Sequence, residues 1–216
     1  MELVYVGDPM CSWCYGFGKE LTEVRERFPD LPLRIVVGGI RAGATDILDE
    51  AGKRFRLHHW SRVESASGLP FNRDGLMARE NFVYDTEPIC RVVVTARQLF
   101  PQSDLLAVFR ALQAAFYVDA LDTTDGKVLA DVAAQALNRQ GHAVSAQTFL
   151  DQWLSDAAIA ATVEDFRTAR GWGISSFPAL VLDHGGRLHH VSGGYAHASD
   201  VAQQLKHVME AASAAA

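Results

Sequence analysis

The chain has 216 residues, 49% of them hydrophobic and 21% charged, which is enough apolar material for one substantial core, or one domain carrying a large insertion, and excludes a disordered chain. A formal net charge of −6 without any dense Lys/Arg run leaves no electrostatic footprint for nucleic acid or an anionic membrane. No stretch approaches the roughly 18 to 20 consecutive apolar residues of a membrane span, and three cysteines are too few for a disulfide-stapled scaffold.

In chain order, "ELVYV" (2–6) is a β-rich apolar run that stops at Gly7, Asp8 and Pro9, as a buried strand ending in a turn does. Cys11 and Cys14 follow at once. From Ser12 to about Phe28 the apolar positions Leu21, Val24 and Phe28 recur at helical spacing, and Pro29 closes the helix. "LRIVVGGI" (33–40) is again β-type, so the opening is a βαβ unit with its cysteines at the first strand-to-helix junction. Helical periodicity then runs through 45–59, 87–100, 104–118, 126–140, 146–155 and 157–170, with expected caps at Thr86, Ser103, Asp125 and Ser145. At Gly171 the pattern switches back. An apolar run at 179–182, a turn at 183–186 and an alternating run at 187–191 make a hairpin, in which one of His189 and His190 should face solvent. A closing amphipathic helix spans about 199–212, and the alanine-rich end beyond it is expected to fray. The order β-α-β, helical block, β-β-α reads as residues 1–40 and 171–216 forming one α/β unit, with residues 41–170 inserted as a helical domain.

The N-terminus "MELVYVGDPMC" lacks the basic start, apolar run and cleavage site of a secretory leader, so the expected address is the cytoplasm. In a reducing compartment a close cysteine pair is more often catalytic or metal-binding than structural. Residues at i and i+3 share a helix face, so the two thiols can meet in one disulfide. A thiol in the first turn lies among unpartnered backbone N–H groups at the positive end of the macrodipole, which favours thiolate. Cys11 is therefore the expected nucleophile, and Cys14, one turn further in, the thiol that resolves a mixed disulfide. Two other readings stay open. A zinc site needs about four ligands, and beyond this pair the chain offers Cys90 and scattered histidines with no second spaced pair. Two buried structural cysteines are the other, although the position after a D-P turn is odd for them.

Around the pair, Ser12 and Trp13 set the local polarity, and Trp13 suits covering an apolar substrate and plain core packing equally. Asp8 is foremost a turn or cap residue by propensity, with a functional reading as proton acceptor for Cys14. Tyr15, Phe17 and Trp172 are aromatics whose commoner place is the core. Cys90, within "PICRVVV", reads as a buried small apolar residue, with a third redox thiol as the alternative.

The segment "DPMCSWC" after an N-terminal strand, the long helical stretch, and "GISSFPALVL" before the last hairpin resemble a thioredoxin-fold protein of the DsbA-like branch, most similar to its cytoplasmic FrnE-like members. "NFVYDTEPICRVVVTARQLF" (81–100) resembles that group's helical domain, so the likeness covers nearly the whole chain. It implies a thiol-disulfide oxidoreductase acting on disulfide-containing or thiol proteins, and the reducing poise of the expected address makes reductase or isomerase action the expected type. No cofactor is required, glutathione is one redox partner such a site could use, and the oligomeric state stays open, a homodimer included. The likeness also implies a cis bond at Phe177-Pro178 against the cysteines, with the Phe177 backbone pairing to an extended substrate. Because Ser-Trp separates the cysteines, unlike the Gly-Pro of thioredoxin or the Pro-His of the periplasmic oxidant, redox potential and direction of electron flow do not carry over. Two rival functions remain: a glutathione-dependent small-molecule enzyme of the kappa-class transferase or hydroxychromene carboxylate isomerase type, whose members usually have Ser at the nucleophile, and a redox-inert metal- or protein-binding module.

Overall fold

A computed structural model describes residues 1–214; Ala215 and Ala216, in the end expected to fray, lie outside the described residues. Strand β1 (Glu2–Gly7) leads into helix α1 (Ser12–Arg27) and strand β2 (Leu33–Val37). Helices α2 (Glu50–Ser67), α3 (Arg73–Met77), α4 (Glu87–Leu99), α5 (Leu105–Tyr117), α6 (Gly126–Asn138), α7 (Ala146–Trp153) and α8 (Asp156–Gly171) follow. Strands β3 (Ala179–His184) and β4 (Arg187–Gly193) and helix α9 (Ala198–Ala214) close the chain. The sheet order is β2-β1-β3-β4, with β1 parallel to β2 and antiparallel to β3, and β3 antiparallel to β4. This is the thioredoxin arrangement β-α-β … β-β-α, with seven helices between its second and third core strands.

Strand alternation sorts the sheet residues onto two faces. Leu3, Tyr5, Ile35, Val37, Leu180 and Leu182 join a core shared with α1, α9 and the intervening helices, while Val4, Val6, Val36, Ala179 and Val181 pack against Trp172, Ile174 and Phe177. The shared core is aromatic where the helical stretch meets the sheet. Phe109 of α5 sets its edge against Tyr5, with centroids 5.5 Å apart, and Tyr15 of α1 stacks on Tyr117 of α5 at 4.7 Å. Tyr15, Phe17 and Trp172 are thus packing residues, and on β4 His190 is the exposed histidine while His189 is half-buried.

Several element ends differ from the sequence reading. Strand β2 stops at Val37 rather than running to residue 40, because Gly39 turns the chain at φ 61°. The helix expected over 45–59 is Glu50–Ser67: the Asp49 side chain accepts from Gly52 N at its start, and Gly68, at φ 71°, ends it. The cap of α5 is Asp104, accepting from Ala107 N, rather than Ser103. Thr86 stands at the start of α4, but its hydroxyl makes no cap bond and accepts instead from Arg41 N at 3.1 Å. The caps at Asp125 and Ser145 form as expected. The short α3, capped by Asn72, carries no periodicity that could have announced it.

Candidate active site

The turn Asp8–Met10 leads straight into α1, and Cys11 is the helix's N-cap residue, its N–H donating to Asp8 O at 3.0 Å. Its carbonyl accepts the first helical bond, from Tyr15 N at 3.0 Å. The spacing therefore places the two cysteines one turn apart, with unequal surroundings: Cys11 retains 7% of its surface while Cys14 has none. Both are free thiols, and so is Cys90. Burial first, then the adjoining Cys11, push the Cys14 thiol well above the usual cysteine range, while the nearby Tyr5 hydroxyl and Asp8 backbone pull weakly the other way. Cys14 consequently holds its proton until something takes it.

Asp8 is fully buried, and the structure makes it both the turn residue and a site residue. Its Oδ1 accepts from Met10 N at 2.8 Å, closing the turn, and its Oδ2 accepts from Ile40 N at 2.7 Å, tying the loop after β2 to the junction. Burial raises the carboxyl to about 6 despite these donors and the Thr86 and Cys90 side chains beside it. Cys90 is buried as expected, but it faces Asp8, a polar neighbour that its apolar helix context did not announce. Burial and then that carboxylate push its thiol well up. Tyr5 reads in the sequence only as part of a strand. Its ring end lies over Gly7, where a Cβ would come within 2.6 Å of the hydroxyl, and that buried hydroxyl makes no hydrogen bond of ordinary geometry. Burial, then Cys14, Cys11 and Asp8, push the hydroxyl well above the ordinary tyrosine value.

The Phe177-Pro178 bond is cis, and the Phe177 carbonyl stands 3.6 Å from Cys11 Sγ, which donates to it. Pro178 is buried, its carbonyl accepting from Gly194 N at 2.7 Å. The half-buried Phe177 ring lies over Gly38, where a Cβ would meet it at 2.1 Å; only glycine leaves room there. The structure thus brings Cys11, Cys14, Asp8, Phe177 and Pro178 together. Ser12 and Trp13 sit half-buried on the helix's outer side. Trp13 leans on Tyr195 at 5.9 Å and lies under the Arg62 guanidinium at 5.7 Å, bordering an open groove with His58, Ser61 and Ala66 of α2. Among the described residues no three His, Cys, Asp or Glu side chains gather as metal ligands, and no helix is long and apolar enough to cross a membrane.

No family model matches the chain, and no curated protein matches its sequence. Solved structures do. A candidate protein disulfide isomerase from Nitrosomonas europaea is 32% identical, with a TM-score of 0.86 over 97% of each chain. The cytosolic disulfide reductase DsbM from Pseudomonas aeruginosa is 24% identical, with a TM-score of 0.77 over 98% of this chain and 100% of its own, and it has also been solved with glutathione. A 2-hydroxychromene-2-carboxylate isomerase shares the fold at 12% identity, with a TM-score of 0.63 over 98% of this chain and 95% of its own. With the fold, the cysteine junction and a relative this close along its full length, the chain belongs to the DsbA-like family of thioredoxin-fold oxidoreductases.

Proposed function

We propose that the chain is a disulfide reductase or isomerase that cycles Cys11 and Cys14 between dithiol and disulfide. The observation that carries this reading is the asymmetry of the pair: one thiol at a helix N-terminus with a remnant of exposure, the other sealed and proton-retaining. The Cys11 thiolate attacks a substrate disulfide, forming a mixed disulfide and expelling one substrate thiolate, which takes up a proton. Cys14 then loses its proton and attacks the Cys11 sulfur, expelling the second substrate thiolate. The substrate has gained two electrons and the pair has become a disulfide. Two molecules of a thiol reductant of the glutathione class return it to the dithiol, and no bound cofactor is required.

Asp8 serves as the acceptor for the Cys14 proton: its raised affinity near neutrality is the property that role needs, and Cys14 lies against its backbone. Phe177 and Pro178 form the wall along which an extended substrate segment pairs, and Trp13 and Ser12 form its other side. We assign the chain to the FrnE-like branch and to the cytoplasm. The cytosolic neighbour supports that address, and disulfide-bearing proteins and glutathione are the partners that follow from it. The test is turnover of a protein disulfide with dithiothreitol or glutathione as reductant. Parent protein catalyses it and Cys11→Ser does not; equal rates for the two would end the proposal. The isomerase neighbour keeps glutathione-dependent small-molecule chemistry in view, and such an activity surviving Cys14→Ala would favour it over dithiol cycling.

A further inference from the structure

Met10 immediately precedes Cys11 and is 1% exposed, yet each of its polar atoms has a partner. Its N–H donates to Asp8 Oδ1 at 2.8 Å. Its carbonyl accepts from the Tyr84 hydroxyl at 2.5 Å and from the Tyr117 hydroxyl at 2.6 Å, and its thioether accepts from the Thr123 hydroxyl at 3.5 Å. Tyr84 precedes α4, Tyr117 ends α5 and Thr123 lies between α5 and α6, so three hydroxyls from the helical stretch converge on one residue of the strand-to-helix junction. Tyr117 and Thr123 are fully buried and Tyr84 is 5% exposed.

Two hydroxyl donors use both lone pairs of the Met10 carbonyl. Unpartnered, that oxygen would hold its negative end beside a sulfur that must become an anion, in surroundings where charge is poorly screened. With both donors in place the oxygen is neutralised and the peptide entering Cys11 is fixed. We propose that Tyr84 and Tyr117 are positioning residues that act through the Met10 carbonyl to stabilise the Cys11 thiolate, so that the helical stretch sets the reactivity of the nucleophile. This rests on the reading of Cys11 as the attacking thiol. The other titratable and charged groups around Cys11 are Tyr5 and Asp8 from the β1 side and Cys14 from α1, with the Arg56 guanidinium on the ring of Tyr84 at 4.2 Å. Tyr5, Asp8 and Arg56 are common to the proteins compared below, and Cys14 is replaced by alanine in all of them.

The experiment measures alkylation of Cys11 by iodoacetamide against pH in a Cys14→Ala, Cys90→Ala background, with thermal unfolding as a check of folding. Tyr84→Phe with Tyr117→Phe keeps the rings and removes both hydroxyls, and its Cys11 alkylation rate at pH 6 should fall about tenfold, one unit along the pH axis. Each single variant should fall several-fold, and all rates should converge above pH 9 or so, where the thiol is ionised throughout. Tyr15→Phe is the control. It deletes an equally placed hydroxyl that donates to Pro70 O at 3.0 Å, away from Met10, so its pH profile should match the parent's. A folded double variant whose profile superimposes on the parent's overturns the inference, as does a Tyr15→Phe shift of the same size. Should the double variant not fold, the single variants decide it, unchanged profiles in both overturning the inference. A parent profile with its midpoint near 8.5, as for a free cysteine, would instead overturn the reading of Cys11 as the activated nucleophile.

Discussion

Replacing Asp8 by asparagine should change how stability depends on pH, with a sign and size set by burial of the carboxyl. Asp8 has no exposed surface, and its carboxyl moves from 3.8 to about 6 on folding. The folded state therefore binds the proton more tightly than the unfolded chain. The stability this contributes is complete below about pH 4 and is lost as pH rises through about 6. A gap of about two units corresponds to roughly 3 kcal/mol, at about 1.4 kcal/mol per unit. The asparagine side chain carries no titrating group, but it brings one acceptor oxygen where the carboxylate brings two. One of the N–H groups of Met10 and Ile40 would then be left facing an amide nitrogen. That loss, about 1 to 3 kcal/mol, is the same at every pH. Urea unfolding of both proteins under reducing conditions from pH 4 to 8 separates the two effects, because all other titrations are shared and cancel in the difference. The Asp8→Asn variant should be the less stable near pH 4 and should gain on the parent by roughly 3 kcal/mol by pH 7.5. A difference that stays flat across that range refutes the account of Asp8 as a buried carboxyl that is charged at neutral pH.

Phe109→Ala tests whether the helical stretch and the sheet share one core: at 1% exposure and edge-on to Tyr5, Phe109 should cost about 3 to 5 kcal/mol on truncation, read as a lower urea midpoint with an unchanged slope. Gly38→Ala puts a methyl 2.1 Å from the Phe177 ring, so that ring, or the loop that carries it into Pro178, must shift. Protein-disulfide turnover should drop at least about tenfold for a stability loss of roughly 1 to 3 kcal/mol; full turnover would show that the Phe177 wall takes no part. Trp13→Ala, on the half-buried side of the pair, should raise KM for a protein substrate several-fold with kcat retained; a fall in kcat alone would place Trp13 in the chemistry instead.

Much of the site was legible because it lies in one local stretch. A β-rich run broken by D-P, followed by cysteines three apart, dictates a strand-to-helix junction with one thiol at the helix start, where a remnant of surface stays open, and one sealed a turn further in. Capping chemistry also reads locally, as Asp125 and Ser145 show. The misplaced starts at residue 45 and Ser103 arose where two polar residues compete for a cap and tertiary context selects one. The tertiary part of the site carried no local signal. Tyr5 sits in an apolar strand buried on both faces, where its hydroxyl is invisible to hydrophobic patterning. Tyr84, Tyr117 and Thr123 are far from Cys11 in sequence and meet at Met10 only because the helices pack on the sheet. Asp8 illustrates both levels: its turn role follows from D-P, whereas its contacts with Ile40 and Cys90 exist only in the fold. The cis bond at Phe177-Pro178 followed from family resemblance and not from spacing.

In the proposed cycle Cys11 attacks and Cys14 resolves, and covalent trapping separates the two roles. In Cys14→Ala the mixed disulfide has no internal thiol to release it, so protein partners should accumulate on Cys11, recoverable with reductant and identified by mass spectrometry. Cys11→Ala should trap none. Recovery of glutathione alone on Cys11 would contradict a protein-disulfide enzyme and move the chain toward small-molecule chemistry, and equal trapping by the two variants would contradict the division of roles between the thiols.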